Sequence, residues 1–213
     1  MITLKRFRKL EEAVRSAGYA DAINWTESVA APANAEAFAE QAIYVICNSG
    51  MSNHVALGIY KRCLDAFAEG QPATSVFGHP GKAPAIDQIW EQREALFAAF
   101  TAAENKLEFC ASLPWIGPVT KFHLGKNFGL DTAKPDVHME RLARRERCSA
   151  QSLCRRLAKQ TGYRVATIDT ILWRACADGF LSSSTYEEHG WRAAYYRSSR
   201  RRVAKGPTGS LPE

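Results

Sequence analysis

The sequence predicts an all-α fold. Apolar residues recur at helical spacing along most of the chain, no alternation of period two persists, and the breaks between periodic stretches are rich in Gly, Pro, Asn and Ser. Roughly nine or ten helices are expected on this pattern. The first comes from Leu4, Phe7, Leu10 and Val14, which line one face between Lys, Arg and Glu residues. Residues 24–34 contain Ala-Ala-Pro-Ala-Asn and read as a connector. From Ala35 to about Phe67 the period implies two helices separated at Asn48-Ser-Gly-Met-Ser-Asn53, where small and polar residues favour a turn and a cap.

Residues 70–84 are rich in Gly and Pro and predict a loop. Within it, Gly78-His-Pro-Gly-Lys82 lacks the spacing of a nucleotide phosphate loop. One long helix is expected over 85–103, with Ile86, Ile89, Trp90, Leu96, Phe97 and Phe100 in the core. A short helix over 106–112 precedes a tight turn, and another over 119–128 ends at Gly129, a natural C-terminal cap. Three more are expected over 137–147, 150–160 and 166–179. Beyond residue 180, apart from a helix around 187–197, Ser182-Ser-Ser184, Arg200-Arg-Arg202 and Gly206-Pro-Thr-Gly-Ser-Leu-Pro predict a basic, mobile tail.

The 213 residues suffice for one large or two small domains, and the apolar fraction of 46% is that of a globular chain. No run reaches the ~18–20 apolar residues of a membrane span, and the start of the chain has no signal-peptide pattern, so a soluble, cytoplasmic protein is expected. The net charge of +6 is unevenly placed: residues 134–213 hold 16 Lys and Arg against 8 Asp and Glu, and residues 1–133 hold 12 against 14. A one-sided basic surface suits phosphate binding, although a solvated face produces the same count. The six cysteines, at 47, 63, 110, 148, 154 and 176, include no Cys-x-x-Cys pair and read as buried free thiols.

Residues 113–138 hold the chemistry. Leu113-Pro-Trp-Ile-Gly-Pro-Val-Thr120 reads as a hairpin between helices, with Gly117 expected in a turn conformation that side chains disfavour and Pro118 placed where a helix can begin. Such a hairpin presents backbone N–H groups to a DNA phosphate. Lys134-Pro-Asp-Val-His138 then places the Asp136 carboxylate at the start of a helix. Asp136 fits a plain N-cap, a role compatible with a chemical one because capping also fixes the carboxylate's direction.

This hairpin followed by an acid resembles the helix-hairpin-helix DNA glycosylase superfamily, the endonuclease III-like base-excision enzymes. The resemblance spans residues 35–180 and is sharpest over 113–145. It implies a two-lobed all-α fold with DNA and base pocket in the interlobe cleft: a central lobe over 34–130, a second from 1–33 plus 131–180, and the tail 181–213. It assigns catalysis to Asp136, a supporting role to His138, and phosphate binding to Trp115, Gly117, Val119, Thr120 and Lys121. The family more often reads Leu-Pro-Gly-Ile-Gly, so Trp115 replaces its first glycine.

Bifunctional relatives carry a nucleophilic lysine where this chain has Val119, and Lys121, two residues on, is rotated by about 200° on a helix. The resemblance therefore implies a monofunctional enzyme that leaves an abasic site. Asn48, Ser49, Met51 and Asn53 align loosely with the stretch serving the base pocket and wedge, Ser49 standing for the usual glutamine. The cysteine spacing does not match the iron–sulfur loop of some relatives, so no cofactor is expected, apart from the option of a monovalent cation on hairpin carbonyls. The implied partner is double-stranded DNA, bound by a monomer. The base is open, from alkylated, oxidised or deaminated bases to the modified bases of phage DNA. The alternative is a non-catalytic DNA-binding or regulatory protein, using the hairpin or a helix-turn-helix in Leu153–Leu172 marked by Ala158 and Gly162.

Overall fold

A computed structural model of the chain describes residues 1–196, and these are helical with a single isolated β-bridge, Leu181 to Tyr195. Thirteen α-helices follow in order among the described residues. They are α1 (Leu4–Val14), α2 (Ala20–Ser28), α3 (Ala35–Asn48), α4 (Asn53–Ala68), α5 (Lys82–Glu91), α6 (Arg93–Ala102), α7 (Lys106–Ser112), α8 (Thr120–Asn127), α9 (Val137–Glu146), α10 (Ala150–Thr161), α11 (Val165–Ala177), α12 (Ser183–His189) and α13 (Trp191–Ala194). The described residues form two compact units, one from residues 1–29 with 131–196, the other from residues 30–130.

The first unit packs around α11. Its residues Ile168, Ile171, Leu172 and Ala175 are fully buried against Phe7, Leu10 and Val14 of α1 and Leu153 and Leu157 of α10. Burial at a spacing of three and four is what the period of each helix predicts. A buried carboxylate ties the periphery to this core. Glu146, at the end of α9 with its side chain 2% exposed, accepts hydrogen bonds from the Ile2 N–H at 2.7 Å, the Tyr186 hydroxyl of α12, and Arg156 of α10 at 2.9 Å. A second carboxylate, Glu11 of α1, accepts from the Tyr163 hydroxyl at 2.6 Å, Arg8 at 2.6 Å and Arg15 at 3.3 Å.

The second unit packs around Phe38 of α3, stacked on Phe128 at 4.9 Å between centroids and tilted against Phe100 at 5.6 Å. Ile43, Ile46, Ile86 and Ile89 extend the same core.

Four local expectations are corrected. Residues 24–28 belong to α2, because the hydroxyls of Thr26 and Ser28 bond back to the Ala22 and Asn24 carbonyls within the helix rather than ending it. The stretch 85–103 is two helices broken at Gln92. The segment 70–84 is not all loop, since α5 begins at Lys82. The segment 181–196 is packed rather than a tail, with Leu181, Ser183, Tyr186 and Ala194 buried; Arg200-Arg-Arg202 and the residues after it lie outside the described residues.

Glu146→Ala should lower stability by about 2–3 kcal/mol, because it strands Arg156 and two further donors around a vacated buried site. Urea denaturation measures this, and a loss below about 0.5 kcal/mol, that of a neutral surface change, would contradict the anchoring role. Glu11 supplies a pH test. Burial alone would raise its carboxyl, yet hydrogen bonds from Tyr163, Arg8 and Arg15 hold it below the ordinary value. A depressed folded-state pKa contributes stability that is complete above the unfolded value of about 4.3 and is lost as pH falls through the folded value. Glu11→Gln should therefore be less stable than wild type at neutral pH, with the gap closing on acidification in paired thermal melts.

Candidate functional site

In the second unit, α7 and α8 form the expected hairpin through residues 113–119. The unusual backbone lies at Trp115, with φ +61°, rather than at Gly117, whose φ lies outside the left-handed region. The reading of Gly117 as the strained turn residue is thus corrected: a Cβ there would meet nothing within 4 Å, and the position is open to close approach. The turn closes through Ile116 N–H to Leu113 O at 3.1 Å and Lys121 N–H to Gly117 O at 3.0 Å. The N–H groups of Gly117, Val119 and Thr120 donate no hydrogen bond among the described residues. Val119 is 41% exposed beside them. Lys121 reaches back to Glu108 of α7, Nζ to Oε1 at 2.7 Å, and so braces the hairpin across its two helices.

The left-handed Trp115 is held by its side chain. The ring lies over Gly81, where an added Cβ would come within 2.2 Å of it. It meets the His79 ring edge-on at 5.3 Å, and Nε1–H donates to Ser49 Oγ at 3.2 Å. The floor of this contact is itself anchored. His79 Nδ1 accepts from the N–H groups of Gly81 and Lys82 at 3.2 and 3.1 Å, capping α5. Lys82, 3% exposed, sends its ammonium to the carbonyls of Cys47 and Ser49 at 3.2 and 2.5 Å, where it satisfies the C-terminal end of α3. Burial draws the Lys82 pKa below its ordinary value.

Of the residues read as pocket or wedge, Ser49 is thereby joined to Trp115. Asn48 and Asn53 pair with each other, Nδ2 to Oδ1 at 3.0 Å, and Tyr44 donates to the same Asn53 oxygen at 2.8 Å. Met51 packs against the core of this unit rather than extending from it. His79, Gly81 and Lys82 were missed by sequence reading. Their segment carries a loop signal, and nothing in its own pattern shows that it caps two helices and seats an indole.

In the first unit, Asp136 is the N-cap of α9, and its Oδ1 accepts from the N–H groups of His138 and Met139, both at 3.0 Å. Its side chain is half-buried, and Oδ2 takes no hydrogen bond among the described residues. The approach to it is pinned at several residues. Ala133 N–H donates to Gln151 at 2.8 Å and Lys134 N–H to the buried Asp169 at 3.2 Å, while Asp131 accepts the Ala166 N–H at 3.0 Å. His138 Nδ1 meets Ser183 Oγ at 2.8 Å, tying α9 to α12. Burial, with the Asp136 carboxylate adding to it, pushes the Cys176 thiol up to about 12, so this neighbour is no thiolate at neutral pH. A carboxylate with one oxygen fixed and the other available can stabilise a developing cation or accept a proton from water.

The helix-turn-helix alternative finds no reading helix. Gly162, at φ +81°, does turn α10 into α11, yet Val165 to Asp169, Ile171 and Leu172 are buried, which leaves no N-terminal face of α11 to enter a groove. None of the six cysteines forms a disulfide, and no group of three or more His, Cys, Asp or Glu among the described residues could hold a metal ion. No helix among them is long and apolar enough to cross a membrane. No family model matches the chain, and no curated protein or solved structure matches it.

The Lys82 cap can be tested directly. Lys82→Met should lower stability by about 1–3 kcal/mol, the cost of leaving the buried Cys47 carbonyl and the part-buried Ser49 carbonyl without their donor. Hydrogen exchange at Ser49 to Met51 should quicken with it, and unchanged exchange there would show that the turn does not depend on the ammonium.

Proposed function

We propose that the chain is a monofunctional DNA glycosylase, which flips a damaged or modified base from duplex DNA and hydrolyses its N-glycosidic bond. The observation that carries this reading is the left-handed backbone of Trp115. It is the conformation that glycine adopts freely, and the resembled superfamily more often has glycine at this position. A left-handed residue at this position is compatible with a turn that glycine would otherwise form. The open N–H groups of Gly117, Val119 and Thr120 and the pinned Asp136 support the same reading.

In the reaction, the bond between C1′ and the base nitrogen breaks, the base leaves with the electron pair, and the sugar gains oxocarbenium character. The Asp136 carboxylate stabilises that charge and orients a water, whose oxygen bonds to C1′ while its proton passes to the carboxylate. The base must leave the stack for this to occur. Val119 holds the position at which bifunctional members of the resembled superfamily carry their nucleophilic lysine, and Lys121, two residues on, is paired with Glu108. The product is an intact strand with an abasic site, in base-excision repair or in the excision of modified phage bases.

The test is alkali-revealed abasic-site formation on duplexes carrying alkylated, oxidised, deaminated or phage-type modified bases. Wild type should release one class of base, and Asp136→Asn should slow release by a hundredfold or more while folding normally, since Asn also caps a helix. Borohydride should trap no covalent complex. Absence of release from every substrate, with duplex binding intact, would favour a non-catalytic DNA-binding protein.

A further inference from the structure

We infer that Trp115 is a rigid platform on which a nucleobase of the bound DNA, displaced from its stack, comes to rest. The inference rests on the reading of the hairpin as a DNA-phosphate site and adds a base contact to it. A bulky residue at φ +61° is strained, and such strain persists where the surroundings over-determine it. Here they do so through the side chain, which is held by the Gly81 seat, the edge of His79 and the hydrogen bond to Ser49. The lock does not bury the residue, for 46% of Trp115 stays exposed.

An indole held by these contacts and still 46% exposed has already lost the freedom that a stacking partner would otherwise have to remove. Its surroundings indicate the partner. Two residues along the chain begin the open N–H groups of Gly117, Val119 and Thr120, which suit a phosphate. A phosphate donor set beside an aromatic face is the pairing used to hold an unstacked nucleotide, and every base has a face that an indole accepts. An intact duplex keeps its bases paired and stacked. The platform therefore favours DNA in which one base is already free, as opposite an abasic site.

The experiment compares wild type, Trp115→Gly, Trp115→Phe and Gly81→Ala in anisotropy titrations with two labelled duplexes, one intact and one with a tetrahydrofuran abasic site. Trp115→Gly removes the indole and accepts the left-handed backbone without strain, while Gly81→Ala dislodges the ring without altering it. Thermal melts verify that each variant folds.

Wild type should prefer the abasic duplex. Trp115→Gly and Gly81→Ala should bind it roughly tenfold more weakly, with an unchanged slope of affinity against salt because no phosphate contact is lost. Trp115→Phe should keep most of the affinity but lose a component of the tryptophan quenching that DNA produces in wild type, a signal that a purely structural tryptophan would not supply. Equal binding by wild type and Trp115→Gly overturns the platform alone. No DNA binding by wild type overturns both the platform and the DNA reading. Base release is scored separately, so a failed glycosylase assay with the Trp115 effect intact leaves the platform standing.

Discussion

A stretch of chain with neither helix nor strand has no partners of its own for its N–H groups, and residues 133–136 answer that constraint with side chains and one local turn. Gln151 takes the Ala133 N–H, Asp169 the Lys134 N–H, and Pro135 needs no acceptor; the Asp136 N–H folds back to the Lys134 carbonyl at 2.9 Å. Asp131 works in the opposite direction. Arg164, the residue before α11, makes no side-chain cap, and Asp131 supplies the missing acceptor at Ala166. The irregular segment and the central helix of the unit therefore hold each other. Asp136 sits at the end of this chain of obligations, its direction set before any ligand arrives.

The second unit solves the same problem at helix ends. The Ser49 and Cys47 carbonyls at the end of α3 are met by an ammonium from the first residue of α5, and the first N–H groups of α5 are met by the ring of His79. Both solutions pass through one short segment, 79–82, whose glycine lies under the Trp115 ring. Backbone satisfaction and the placing of an exposed indole are thus one arrangement. A side chain at Gly81 would disturb the indole directly and the cap at Lys82 through its neighbour.

The legible parts of the molecule were those whose physics is local. Helical period placed α1, α3, α4 and α10 to within a few residues, since a buried face leaves its mark every three or four positions. The hairpin and the N-cap at Asp136 were legible for the same reason, each being written in fewer than ten consecutive residues. The break at Gln92 was not, because no Gly or Pro marks it and the residues on both sides are good helix formers. Glycine was also a misleading guide at the hairpin. Gly117 has the permissive residue, but the left-handed conformation falls on Trp115, which contacts more than 30 residues away in sequence make tolerable. Lys82 was invisible on similar grounds, its partners at Cys47 and Ser49 lying more than 30 residues away. The cap by His79 is local but is formed by a ring nitrogen in a residue type that is no usual N-cap.

The surplus of positive charge after residue 133 also changes meaning once its side chains are placed. Of the 16 Lys and Arg counted there, Arg156 serves Glu146 and the Ile2 carbonyl, Arg144 pairs with Glu187, and Arg164 holds the Thr26 and Val29 carbonyls. Arg174 lies over Tyr19 and Trp173. These guanidiniums still contribute to the long-range field, but Arg156, Arg144 and Arg164 have donors committed to the fold, and a donor already engaged must break a bond before it can grip a phosphate. Net charge therefore measures attraction better than it measures contact. Contact with any anion has to come from groups that the fold leaves without a partner, and among the described residues the backbone N–H groups of Gly117, Val119 and Thr120 are of that kind.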